Sequence, residues 1–148
     1  MFLKTTITYE TDYYGWVQEQ VELLESGQLD RLDVANLIEE IKSLGASERR
    51  ALISYLVRLY QHLLKWIYQP SRRSPSWVAT INISRRKIQA LLTENPSLKP
   101  WLPEAIQVAY ADARDEAYGE TGLALETFPI EPPLTWEEAM EQPIYLDP

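Results

Sequence analysis

A chain of 148 residues with a 45% apolar fraction is long enough to bury a core of its own, and global disorder is not expected. Zero cysteines exclude disulfides, thiol nucleophiles, cysteine zinc sites and iron–sulfur clusters, and one histidine excludes every motif that needs two. The formal charge of −8 argues against coating nucleic acid or an anionic membrane by bulk charge, but it averages an acidic, basic, acidic chain: −7 over residues 1–48, +9 over 49–99 and −10 over 100–148.

Met1 to Glu10 has no sustained apolar stretch, so no secretory signal is expected there. The most apolar segment, Ala51–Tyr68, is interrupted by Arg58, His62 and Lys65, which reads as a core helix and not a membrane span. With zero cysteines and no export signal, the expected address is the cytoplasm. The first helix opens at Thr11 or Asp12 and ends at Gly27, with Tyr14, Val17, Val21 and Leu24 on one face. A second starts near Asp33, buries Leu37, Ile38, Ile41 and Leu44, and stops at Gly45. A third starts at Ser47 and runs to Gln69, where Pro70 ends it; a hairpin with the second about Gly45–Ala46 is expected.

The fourth helix has Ser74 as N-cap and Pro75 in its first turn, and ends before Pro96. The fifth begins between Ser97 and Pro103, ends at Gly119 or Gly122, and carries Ala105, Ala109, Ala113 and Ala117 as a ridge for close helix approach. The C-terminal arm has five of the ten prolines in its last 20 residues but also carries Phe128, Leu134 and Trp136, so it should wrap the bundle, with Thr135 capping a short turn through Met140. The expected fold is all-α: an antiparallel helical bundle of four to five helices with an irregular Pro-rich C-terminal arm packed on it. Residues 1–148 read as a single helical domain, with an extension over 1–10, the bundle over 11–122 and the arm over 123–148.

Two candidate sites follow. Arg58, His62, Lys65 and Gln69 form a polar stripe on the third helix, at i, i+4, i+7 and i+11, and the lone histidine is the first candidate for acid–base work. Neighbouring cations bias its ring toward the neutral form. Glu39 and Glu40, across the expected hairpin, complete this polar set, and ion pairs with Arg49 and Arg50 are their simplest account. The segment Gln69 to Trp77 sets Arg72 and Arg73 between prolines at a helix start beside Trp77, with Arg85 and Arg86 further along. That pattern suits an anion or a nucleic-acid backbone with aromatic stacking. The favoured account is that the cations neutralise acids of the fifth helix, with Arg73 and Trp77 near Glu116 and Glu120, and Arg85 and Arg86 near Asp112. No residue set points to a metal or a cofactor.

Several longer words carry a family likeness. Leu37-Ile38-Glu39-Glu40-Ile41-Lys42-Ser43-Leu44-Gly45, His62-Leu63-Leu64-Lys65-Trp66, Arg72-Arg73-Ser74 with Ser76-Trp77, and Asn95-Pro96-Ser97-Leu98 resemble a bacterial family known as domain of unknown function 29. Ala109-Tyr110-Ala111-Asp112-Ala113-Arg114 and Glu120-Thr121-Gly122-Leu123 are similar to it too, so the likeness spans about residues 12–135. Pro103 and Gly119 depart from the family pattern, which leaves the ends of the fifth helix open. The resemblance implies a small, soluble, all-helical bacterial protein and transfers no catalytic residue.

The favoured function is a non-enzymatic interaction or regulatory module that binds a protein partner or itself. A second reading is an anion or nucleic-acid binder through residues 49–99, which is not favoured, and no membrane is expected as partner. A third compares Arg58 and His62 with the Arg…His motif of helical HEPN ribonucleases, although three residues intervene here where those motifs have more.

Overall fold

The computed structural model describes residues 7–147, and the part of the expected N-terminal extension before residue 7 lies outside them. Among the described residues 77% are helical and none forms a strand. The chain divides into two compact units, Met1–Ala46 and Ser47–Pro148.

The first unit holds α1 (Tyr13–Glu25) and the opening turns of α2 (Val34–Tyr68), joined by a 3-10 turn at Leu29–Arg31. Asp12 caps α1 by accepting from the Gly15 N–H at 3.0 Å, and Gly27 adopts the left-handed φ of 73° that ends it. Asp33 opens α2: its carboxylate accepts from the Asn36 side chain at 2.8 Å and from the Trp16 indole at 2.9 Å, while its own N–H donates to the Gln20 side chain at 2.8 Å. Tyr13 bonds Glu40 and Gln20 bonds Asp33, so α2 retreats as α1 advances and the two run antiparallel. The buried side of α1 is Trp16, Gln20 and Leu23.

This corrects the expected faces. Tyr14, Val21 and Leu24 are exposed, and on α2 Val34 is 55%, Ile38 47%, Ile41 65% and Leu44 69% exposed. The expected hairpin about Gly45–Ala46 is absent, because α2 is continuous through Gly45. A glycine inside a helix costs only about 1 kcal/mol relative to alanine, and the flanking Leu44, Ala46 and Glu48 are all good helix formers. Two helices that cover one side of each other leave their remaining apolar sectors bare.

The second unit is an up-down-up bundle: α2 from Ser47 onward, α3 (Pro75–Glu94), α4 (Leu102–Thr121) and the short α5 (Trp136–Glu141). Arg49 lies over Trp101, Tyr60 packs on Tyr110 and Lys65 meets Glu120, so α2 and α4 advance together. α3 returns between them through short connections. Pro103 sits in the first turn of α4, Gly119 stays inside it, and Gly122 closes it at φ 70°, which fixes both ends that the sequence left open.

Leu52, Leu56, Leu59, Leu63 and Trp66 form the spine of the core, joined by Ile81 and Ile88 of α3. The ridge Ala105, Ala109, Ala113 and Ala117 is wholly buried against them. The arm packs as expected. Phe128 is fully buried with its ring edge-to-face on Tyr68 at 5.6 Å, and Thr135 and Glu138 form a capping box for α5. Three polar side chains hold the arm by its carbonyls: Tyr110 donates to Pro129 at 2.6 Å, Arg114 to Phe128 at 2.8 Å, and Arg85 to Ala139 at 2.9 Å and Gln142 at 2.8 Å.

Candidate functional site

Lys65 is the centre of the polar cluster in the second unit. It lies on the side of α2 facing both α3 and α4, so its stem is buried and its ammonium reaches Glu120 at 2.5 Å and the face of Trp77 at 5.0 Å. The lysine hydrogen bond holds the Glu120 carboxyl below its ordinary range, with burial opposing it. An ion pair and a cation–π contact together satisfy a charge that would otherwise be costly to bury.

His62 lies three residues earlier. Burial pushes its imidazole below the ordinary value, and Lys65 adds to that. Its Nδ1 is 2.8 Å from the Arg58 carbonyl one turn back, so the neutral ring donates there and keeps Nε2 as its acceptor. Gln69 is half-buried at the helix end. The Arg58 side chain is exposed and lines a cleft of about 530 Å³ between α2 and α4 together with Asp112, Asp115 and Glu116.

The residues of the expected anion site make separate contacts. Arg73 stacks over Trp66 at 4.4 Å and donates to the Trp66 carbonyl at 2.9 Å. Trp77 lies under Lys65, near Glu120 as expected, whereas Arg85 turns to the carbonyls of α5 and not to Asp112. Arg72 and Arg86 are exposed. The ion pairs among the described residues are Lys65–Glu120 and Lys42–Glu39, so of the middle cations Lys65 meets an acid across the bundle, whereas Arg49, Arg73 and Arg85 are set against ring faces and carbonyls. Among the described residues no group of three or more His, Asp or Glu is placed to hold a metal.

Glu39 and Glu40 belong to the first unit and have separate roles there. Glu39 is exposed, 3.9 Å from Lys42. Glu40 accepts from the hydroxyls of Tyr9 and, at 2.6 Å, Tyr13. Those two bonds lower its carboxyl and, with Glu40 ionised, push Tyr9 up to about 12. Arg49 is over Trp101 and so is not the partner that the hairpin would have supplied.

The feature that sequence reasoning missed is the uncovered apolar side of the first unit. α1 places Tyr14, Val17, Val21 and Leu24 at steps of three, four and three, and α2 places the exposed Val34, Ile38, Ile41 and Leu44 at steps of four, three and three. Such spacing marks a seam between helices. The available signal was that α1 carries a second apolar set, Trp16 and Leu23, too wide for a helix with one neighbour.

The arrangement defines an all-helical protein with an arm-wrapped bundle and a helical hairpin bearing a bare seam. The chain belongs to the family described as Domain of unknown function DUF29, whose model matches residues 8–145. No curated protein and no solved structure matches the chain. No helix among the described residues is long and apolar enough to cross a membrane.

Proposed function

We propose that this protein is a non-enzymatic helical interaction module which docks a protein surface on the apolar side of its first unit. The observation that carries this reading is the exposure of Ile41 and Leu44, at 65% and 69%, on a helix that continues into a well-packed core. Large apolar side chains grouped on one side mark association surfaces, whereas single exposed ones carry no such meaning. The polar cluster supports the non-enzymatic half of the reading. Lys65 and Glu120 neutralise each other, and the Nδ1 of His62 is engaged by its own helix backbone.

A photo-crosslinking residue placed at Leu44 in the full chain tests the reading, with the same residue at Ile83 on the exposed surface of α3 as reference. Adducts of defined mass are expected from position 44 and not from position 83. Equal or absent crosslinking at the two positions contradicts the docking role.

A further inference from the structure

We infer that the occupant of this apolar side is a second copy of the same chain, the two hairpins pairing about a two-fold axis into a four-helix bundle. The inference rests on the docking reading above and names its partner.

Helical rotation puts both stripes on one side of the hairpin. On α1 the stripe Tyr14, Val17, Val21 and Leu24 lies roughly 100° past the side formed by Trp16, Gln20 and Leu23, at about 100° per residue. On α2 Val34, Ile38 and Ile41 lie roughly 100° past the side that carries Asp33, Leu37 and Glu40, in the same rotational sense, and Leu44 continues the bare surface next to Ile41, beyond the level where α1 begins. Because the helices are antiparallel, equal rotations bring the two stripes to the same side. The result is a flat apolar face two helices wide.

A face of this kind is complementary to itself. A two-fold axis parallel to the helices sets α1 of one copy against α2 of the other, antiparallel, as within the hairpin. The three- and four-residue steps of the two stripes then let each interdigitate with the other. The area is sufficient. The exposed parts of the two stripes offer on the order of 600 Å² of apolar surface per copy, whereas an ordinary interface of about 800 Å² per partner needs only about 450 Å² of it apolar.

Charge is compatible with self-pairing although residues 1–48 carry −7. Glu19, Glu22 and Glu39 fall on the far sides of their helices, and Glu40 is held by Tyr9 and Tyr13. The register that sets Tyr13 level with Glu40 also sets Thr11 level with residue 42. In the pair, Lys42 of one copy therefore lies near the exposed Glu10 of the other, so opposite charges meet at the rim.

Sedimentation velocity of the full chain over a range of concentrations tests the inference. A species of twice the 17.2 kDa chain mass is expected. Ile41→Glu and Leu44→Glu should each raise its dissociation constant at least about tenfold, since each buries a charge in the seam. Both positions are exposed in the single chain, and unchanged far-ultraviolet circular dichroism would establish that the variants fold. Ile83→Glu should leave the association as it was. A chain monomeric at every concentration overturns the inference, as does a dimer that both glutamates leave intact. If a monomeric chain still crosslinks from position 44 to a protein of another mass, only the second-copy occupant is lost. If position 44 yields no adduct either, the docking reading falls with it.

Discussion

The stretch of α2 from Leu52 to Trp66 and the stretch from Val34 to Leu44 are both apolar at helical spacing, yet they end in opposite states. In the second unit α3, α4 and the arm surround the helix, and Leu52, Leu56 and Leu59 have no exposed surface. In the first unit α1 covers one side only, and Val34, Ile38, Ile41 and Leu44 remain about half exposed or more. Amphipathic periodicity therefore identifies a surface that some neighbour must cover. The number of helices within reach decides whether that neighbour is intramolecular. The polar side chains repeat the contrast. Arg85, Arg114 and Tyr110 tie the second unit's arm to its bundle through backbone carbonyls, whereas the first unit closes through side chains on Asp33 and Glu40.

The largest effect expected from this contrast comes from a pair of truncations. Leu59→Ala, in the core, should cost about 2–5 kcal/mol. Leu44→Ala, measured by denaturant unfolding at concentrations too low for association, should stay within about 0.5 kcal/mol. Similar costs at the two positions would break the comparison. Arg114→Ala should cost about 1.5–3 kcal/mol, because a charged donor to Phe128 and Leu125 is lost. Hydrogen exchange should then accelerate in residues 123–142 and stay unchanged in α1.

A smaller effect, of opposite sign, is expected at Gly45. Nothing stands within 4 Å of a Cβ added there, so Gly45→Ala should stabilise by about 0.4–1 kcal/mol, as helical backbone requires. A loss would instead point to a turn.

The last difference is read by ultraviolet titration of the tyrosines. Tyr60 and Tyr110 are pushed up to about 12 by burial, whereas Tyr9 reaches about 12 mainly through its hydrogen bond to Glu40. Glu40→Gln should return Tyr9 toward 10 and leave the other two in place. A raised phenol pKa stabilises the fold below pH 10, and that contribution is lost as pH climbs from 10 through about 12. The Tyr9 part of this loss should vanish in the Glu40 variant.

Local chemistry made much of the fold legible. Asp12, Ser74 with Pro75, Thr135 with Glu138, and Gly122 each mark a helix end through a backbone group that their side chain or φ satisfies. Gly45 was ambiguous because a glycine fits a turn and is tolerated in a helix, and only the flanking residues decide. The coverage of Ile38, Ile41 and Leu44 was not legible, since the same spacing serves a core and a bare seam. For the basic residues, counting charges anticipated acid partners. The structure gives Lys65 such a partner in Glu120 but sets Arg49 and Arg73 on the Trp101 and Trp66 rings and Arg85 on the arm's carbonyls, and those partners carry no formal charge to count. Of the candidate polar set, His62 and Lys65 do gather, around Glu120. Glu39 and Glu40 lie in the other unit because the hairpin that would have brought them in does not form.

Hydrogen–deuterium exchange of the full chain at low and at high concentration tests the central claim most directly, since it reads both units in one sample. Amides of α1 and of residues 34–44 should gain protection as concentration rises, while those of α3 and α4 stay constant. Exchange that is independent of concentration in α1 and residues 34–44, or protection that grows in α3 and α4 instead, would contradict the account.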